Sequence, residues 1–220
     1  MSWENIIPDS VKELYEIHDY KHAAAILCKE FHQEFLELCE ALMAFRFSEE
    51  DITKEGGNES NIPKKFSEIL MPKGWKAQKL DVSNVTKLTE KDIDGKEVIK
   101  ENEISNPSTH IIDYVKGRIA FDLEWNSKDQ TFDRDLYAFK AFYDYNIISL
   151  GVLVTRSNDL DSYFTSLGEY DDKNGIHRKY KDKYGASTTH MGKLLPRLDG
   201  GRNGGCPVLV FGITQKLLSE

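Results

Sequence analysis

Cysteine is scarce in this chain. Only Cys28, Cys39 and Cys206 occur in 220 residues, with no CxxC pair and no Cys/His spacing suited to zinc. That excludes a cysteine-built metal site and leaves buried free thiols, Cys28 and Cys39 falling within one apolar-periodic run. Long hydrophobic runs are missing as well: no stretch approaches the ~20 apolar residues of a membrane-spanning helix. The opening M-S-W-E-N carries neither the basic nor the apolar region of a secretory leader, so the cytoplasm is the expected compartment. There is no internal repeat and no low-complexity segment. Positive charge is in deficit, with a formal net charge of −8. Net charge decides little about partners, however, when the charges are unevenly placed. What remains is an ordinary globular composition, 40% hydrophobic and 30% charged, in a length that suits one α/β domain with a sizeable core.

The apolar periodicity divides the chain. Asp9 or Ser10 predicts the cap of a short helix reaching about Ile17. Asp19 precedes a long amphipathic run with Ala23, Ile26, Leu27, Phe31, Phe35, Leu38 and Leu42 at helical spacing. His18, His22 and His32 sit in or beside it, without the clustered acid or cysteine that would complete a metal site. Residues Ser48 to Pro63 read as a loop, Phe66 to Met71 as a short helix stopped by Pro72 and Gly74, and Leu80 to Ile99 as a hairpin turning at Asp94-Gly95. A helix is expected from Phe132 to Tyr145, its stripe formed by Phe132, Leu136, Phe139, Phe142 and Tyr143. Ile147 to Thr155 reads as a buried strand, Asp159 to Leu167 as a helix, and Pro207 to Ile213 as the last strand. This order predicts a mixed sheet with helices on both sides.

The most informative segment is D-Y-V-K-G-R-I-A-F-D-L-E-W, Asp113 to Trp125. Two β-branched apolar stretches flank a turn at Lys116-Gly117, and Asp122 and Glu124, two apart on the second strand, leave the same face. If the strands pair, Asp113 lies beside that face. Acids gathered among Ile, Ala, Phe and Leu repel one another, and a hard divalent cation with oxygen ligands relieves that repulsion; Mg²⁺ is the usual choice for phosphate chemistry. The same spacing also describes the solvent face of a half-exposed antiparallel strand.

An acid, a short turn and acid-x-acid on the next strand resembles the core of the PD-(D/E)xK nucleases, and in particular the BglII- and BstYI-type restriction endonucleases. D-Y-K-H-A-A-A-I-L at Asp19 to Leu27, F-S-E-I-L-M-P-K-G-W-K at Phe66 to Lys76, the Asp113 hairpin, and G-C-P-V-L-V-F-G-I at Gly205 to Ile213 resemble that family's landmarks in the same order. The chain departs from the wider pattern at two places. Glu124 stands where most PD-(D/E)xK enzymes carry lysine and the BglII-like ones glutamine, as a glutamate does in BamHI-type enzymes, and Asp122 stands where glutamate is usual.

The resemblance implies a restriction-endonuclease-like α/β fold in a single domain spanning 1–220, with N-terminal helices over 1–76 and a catalytic core over about 108–220. It implies Mg²⁺-dependent hydrolysis of DNA phosphodiesters, with Asp113, Asp122 and the carbonyl of Leu123 holding the metal and Glu124 orienting or deprotonating the attacking water. Double-stranded DNA is the expected partner, cut at a short palindrome by a homodimer whose two-fold axis matches that of the site. A cognate DNA methyltransferase is expected in the same restriction–modification system, without a stable complex. Two other trades fit the same motif: a repair or structure-specific nuclease, and a sequence-specific DNA-binding protein that has lost turnover.

Basic residues gather late in the chain: Lys173, Arg178, Lys179, Lys181, Lys183, Lys193, Arg197 and Arg202 face only Asp182 and Asp199 between positions 173 and 202. Within the apparent loop Gly185 to Cys206, Ser187, Thr188, Thr189, His190, Lys193, Arg197, Arg202 and Asn203 offer the donors that phosphates and base edges require. Asn126, Ser127 and Lys128 lie just past the acidic strand, in reach of a phosphate or base edge. Gly200-Gly201 and Gly204-Gly205 make no phosphate loop, since no G-K-[S/T] follows. A solvated lysine-rich surface is the alternative reading of this region.

Overall fold

The computed structural model describes residues 2–53, 61–172 and 174–219, with the backbone alone for 83–86 and 101–109. After a short helix α1 (Asp9–Lys12), the chain enters strand β1 (Tyr15–Tyr20). The helix expected to reach Ile17 therefore ends early. Tyr15 and Ile17 are buried with half-buried Glu16 between them, a period of two that fits the strand. Lys21 and His22, both left-handed, turn the chain into α2 (Ala23–Glu30), where Asp19 Oδ1 accepts the Ala24 N–H at 3.1 Å. The long amphipathic run then breaks at Phe31, and α3 (His32–Ala44) follows. Next come α4 (Glu49–Thr53) and α5 (Asn61–Leu70), the latter closed by a 3₁₀ turn and by Gly74 at φ 91°.

Strands β2 (Lys76–Lys91) and β3 (Glu97–Lys116) form a long hairpin. The Asp92 carboxylate accepts the N–H groups of Asp94 and Lys96 at its turn. A tight turn at Gly117, φ 53°, leads into β4 (Ile119–Glu124). Then follow α6 (Thr131–Asp144), β5 (Leu150–Arg156) and α7 (Leu160–Ser166). A small hairpin of β6 (Glu169–Asp171) and β7 (His177–Lys179) and then α8 (Tyr180–Lys183) follow, and the segment from Gly185 to Cys206 expected as a loop carries α9 (Met191–Asp199) before β8 (Val208–Ile213). Helix α9 is concealed in the sequence by flanking glycines and by Pro196, yet Met191, Leu194 and Leu198 give it a buried stripe at helical spacing.

The main sheet has the order β1-β8-β5-β4-β3-β2. Its centre, β8-β5-β4, is parallel and buried throughout, and antiparallel strands flank it. One face packs on α1 to α5 through Leu27, Leu38, Phe66, Phe121 and Phe211; the other packs on α6 and α9 through Ala120, Phe132, Leu136, Phe139 and Leu194. Each such large apolar side chain contributes roughly 1.5–3 kcal/mol on burial. A Cβ on Gly151 would lie 2.3 Å from the Phe139 ring, so glycine there lets α6 press onto β5 and hold its first turns over the end of β4. Among the described residues no helix is long and apolar enough to cross a membrane.

Candidate active site

Strand alternation places Ile119, Phe121 and Leu123 against the α1–α5 side, and Ala120, Asp122 and Glu124 against α6. The two acids thus extend an apolar row to the C-terminal end of a central strand. Asp122 is 4% exposed and Glu124 6%.

Asp113 arrives from β3. The pairs Tyr114↔Phe121 and Val115↔Ala120 carry it opposite Asp122. On the other side of β3, Lys76 pairs with Val115 but Gln78 pairs with Ile112, so Asp113 and Tyr114 together oppose Ala77. A bulge of this kind re-aims a side chain. The Asp113 carboxyl is exposed and in hydrogen-bonding contact with that of Asp122.

A fourth acid joins them from α6. Asp135 is 1% exposed. Its Oδ1 accepts Arg134 Nη2 at 3.0 Å and Nε at 3.1 Å, its Oδ2 is buried without a conventional donor among the described residues, and its carboxyl is in hydrogen-bonding contact with that of Glu124. The sequence did carry a signal for it: Phe132, Asp135, Leu136 and Phe139 follow the spacing of an apolar stripe, and one member is an acid.

Crowding shapes the electrostatics. Burial first, then the charges of Asp135, Asp113 and Glu124, pushes Asp122 well above the usual carboxylate range. Burial likewise raises Glu124, outweighing the hydrogen bonds from Ser127 and Asp135 and the charge of Arg134. Asp135 is pushed up to about 8, again chiefly by burial and then by Glu124. The compensating cation is Arg134, whose Nη2 lies 3.5 Å from Glu124 Oε1; its side chain is 73% exposed and reaches in from the rim.

Among the described residues no three His, Cys, Asp or Glu side chains are already gathered at ligand distance. The acids are neighbours, not a closed coordination sphere. A hard divalent cation can bind through one or two carboxylates, with waters and a substrate oxygen completing its shell. Burial and mutual repulsion raise the proton affinity of these acids together, a strain that a hard cation relieves.

The segment after β4 is joined to the Gly185–His190 loop. Ser127 N donates to Thr189 Oγ1 at 3.1 Å, Thr189 N donates to Ser127 O at 2.8 Å, Lys128 bridges Thr188, and Asp129 N donates to Ser187 O at 3.0 Å. Asn126 takes the left-handed conformation, φ 58°, with its Oδ1 buried and unpartnered. The structure thus brings Asn126, Ser127, Lys128, Ser187, Thr188 and Thr189 to one rim beside Glu124. The loop is held from within by Arg156, 1% exposed, which donates to Thr189 O, Thr188 Oγ1, Tyr184 O and Asp161.

The other donors of the loop are set apart. His190 Nδ1 hydrogen-bonds Asn158 Oδ1 at 2.8 Å. Asn203 is buried and donates to Cys206 O, shaping the turn into β8. Arg197 bridges Asp129 and Asp133, and Arg202 also pairs with Asp133, which ties α9 to α6. Lys128 and Lys193 form no ion pair among the described residues. Lys173 lies outside the described residues.

A mixed sheet with a parallel centre, helices on both faces and acids converging at the end of a central strand is the build of a restriction-endonuclease-type nuclease. Residues 15–213, from the first residue of β1 to the last of β8, match the family described as restriction endonuclease BglII/BglIII, and the chain belongs to that family. It is a restriction endonuclease acting on DNA. None of the curated proteins matches the chain.

Proposed function

We propose that this is a type II enzyme that hydrolyses DNA phosphodiesters with Mg²⁺ at a short palindromic site, as one arm of a cytoplasmic restriction–modification system with a separate methyltransferase. The observation that carries the reading is the convergence of Asp113, Asp122 and Glu124 at the end of β4. Asp113 and Asp122 would hold the metal with the carbonyl of Leu123. Pairing of β4 with β3 stops at Phe121, while that with β5 continues to Glu124, so among the described pairs the β3-facing edge of Asp122–Glu124 makes no ladder bonds. When bound, Mg²⁺ stabilises the charge that builds on the phosphate and lowers the pKa of water at the site.

Glu124 takes the proton of the attacking water. Its proton affinity, raised by burial, suits a base more than an ordinary exposed carboxylate would. Arg134 supplies, from the rim, the positive charge that lysine brings in most relatives. Lys128, Ser187 and Lys193 are the open donors for phosphates. Arg202, on the surface, would exchange Asp133 for DNA. Thr188, Thr189 and Asn203 support this surface from beneath. The exposed Tyr137, Tyr143 and Tyr145 of α6 and its end would form part of a homodimer contact, since Phe132, Leu136, Phe139 and Phe142 are consumed by the core.

The test is digestion of unmethylated DNA of known sequence with and without Mg²⁺, followed by end mapping. Identical ends at every copy of one short palindrome support the proposal. Preference for nicked or branched DNA selects a structure-specific nuclease. Binding of a defined site without cutting in any divalent cation selects an inactive reader.

A further inference from the structure

His190 reads in the sequence as one more donor of the late loop, and its surroundings make it an acceptor. Its backbone is fixed on both sides. Thr189, just before it, donates its N–H to Ser127 O at 2.8 Å, and the Thr189 carbonyl accepts Arg156 Nε at 3.0 Å. The His190 carbonyl accepts the N–H groups of Lys193 and Leu194 in the first turn of α9. Asn158 fixes the ring. Its Oδ1 accepts the Gly192 backbone N–H at 3.1 Å, and since a backbone N–H can only donate, the amide oxygen and not the amide nitrogen faces α9. The same oxygen lies 2.8 Å from His190 Nδ1, so that ring nitrogen carries a proton. A Cβ on Gly192 would fall 2.7 Å from Asn158 Nδ2 and 3.1 Å from His190 Cε1, so glycine leaves room for the pair. Burial first, and then the charges of Arg156 and Lys193, hold the ring's proton affinity below the ordinary histidine range, with Asp161 and Asp129 opposing. One proton on Nδ1 leaves a lone pair on Nε2, which has no hydrogen-bond partner among the described residues. The ring borders an open cavity lined also by Asp161, Ser162 and Lys181.

We infer that His190 Nε2 accepts a hydrogen bond from the exocyclic amino group of one base of the DNA site, and that Asn158 is the positioning residue that sets its tautomer. The inference rests on the proposed reading of this rim as DNA-facing and deepens it. Phosphate and sugar oxygens in duplex DNA are acceptors, so a neutral acceptor set against them is repelled. The donors a duplex offers are the amino groups of adenine and cytosine in the major groove and of guanine in the minor groove. An acceptor one residue beyond the pairing of Thr189 with Ser127 therefore suits a base and not the backbone. Lys128, Ser187 and Lys193 are groups of the opposite kind, so the rim holds donors for phosphates and an acceptor for a base. The ring is held by its backbone and by Asn158 before DNA arrives, so little freedom is lost on binding.

The experiment uses the full chain in two arms. Long-range ¹H–¹⁵N NMR at pH 7, with His190 assigned by the loss of its signals in His190→Ala, is expected to show a neutral ring protonated at Nδ1. Asn158→Ala is expected to move it toward the form protonated at Nε2. Binding is then measured in Ca²⁺ to the duplex defined by end mapping. It is repeated with single adenines, cytosines or guanines replaced by purine, 2-pyrimidinone or hypoxanthine, each of which lacks only the amino group. At one base type the wild type is expected to lose about fivefold to tenfold in affinity beyond the loss seen in His190→Ala, a comparison that cancels the weakened base pairing. His190→Ala is expected to bind the natural duplex more weakly by the same factor, and the base type concerned identifies the amino group. A ring protonated at Nε2, or at both nitrogens, overturns the inference, as does a replacement loss equal in wild type and His190→Ala at every base. If His190→Ala weakens cognate and scrambled duplexes alike, the inference fails and the DNA-facing reading of the rim stands. If His190→Ala and Lys193→Ala both leave the two duplexes bound as by the wild type, the reading of the rim itself fails.

Discussion

Arg156 offers the sharpest test of how the fold supports the DNA-facing rim. It comes from the end of β5, is 1% exposed, and spends its guanidinium on Thr189 O at 3.0 Å, Tyr184 O at 2.8 Å, Thr188 Oγ1 at 2.7 Å and Asp161 Oδ1 at 3.2 Å. It also lies 5.5 Å from the centre of the Phe164 ring. Lysine keeps the charge but gathers its donors at one point, so Arg156→Lys can reach one of the two carbonyls and leaves the other buried and unpaired. Each such orphan costs about 1–3 kcal/mol, and a buried ammonium with fewer partners adds to it, so a loss of roughly 3 kcal/mol is expected. The Asp161 side chain is more than half exposed, so Asp161→Asn should cost less than about 1 kcal/mol. Urea unfolding at pH 7 in EDTA measures both. Because the same loop is bridged to Ser127, Lys128 and Asp129, Arg156→Lys should also weaken DNA binding. An Arg156→Lys protein within about 1 kcal/mol of the wild type would refute this account of the loop.

Three further outcomes follow from the acids and the open lysines. Asp135 ionises near ~3.9 in the unfolded chain but near about 8 in the fold, so its penalty on metal-free stability is absent at pH 4 and grows as pH rises toward 8. Asp135→Asn should therefore gain stability over the wild type with rising pH, by up to about 5 kcal/mol at pH 8; an advantage that stays flat or shrinks in unfolding curves from pH 5 to 8 contradicts the burial argument. Glu124→Gln should lose most turnover yet keep metal-supported binding, and Glu124→Lys should be inactive, because Arg134 already stands 3.5 Å from that carboxylate; cleavage assays that find Glu124→Lys active would leave the residue's charge without a purpose. Lys128→Ala and Lys193→Ala should weaken cognate and scrambled duplexes alike and reduce the salt slope by about one each. Salt-series binding in Ca²⁺ reads this, and unchanged slopes would make both lysines merely solvated.

Much of this was legible beforehand, and the failures have physical causes. The acid-x-acid strand, the turn at Gly117 and the hairpin at Asp94-Gly95 were visible because strand period and turn chemistry are local. The opening strand β1 was hidden because Tyr15 to Tyr20 gains its structure from pairing with β8, far along the chain. Helix α9 was hidden because Pro196 and a run of glycines outweighed three buried positions. At the site, spacing alone put Asp122 and Glu124 on one face with Asp113 beside it and left a solvent face as the alternative, the family resemblance supplied their expected roles, and the bulge that aims Asp113 depends on the register of β2. Arg156 was missed because a basic residue ending a buried strand says nothing of the loop it will hold. Asp135 was missed although its place on the stripe of α6 was in plain view.

The central claim is that Asp113 and Asp122 make this family member a metal-dependent nuclease. Single-turnover cleavage of unmethylated DNA in Mg²⁺ by Asp113→Asn, Asp122→Asn and the wild type, with binding of the same DNA measured in Ca²⁺, tests it most directly. Each substitution removes one negative ligand without adding bulk, so the account predicts that cleavage is abolished in both variants while specific binding survives. Near-wild-type cutting by either variant would contradict it.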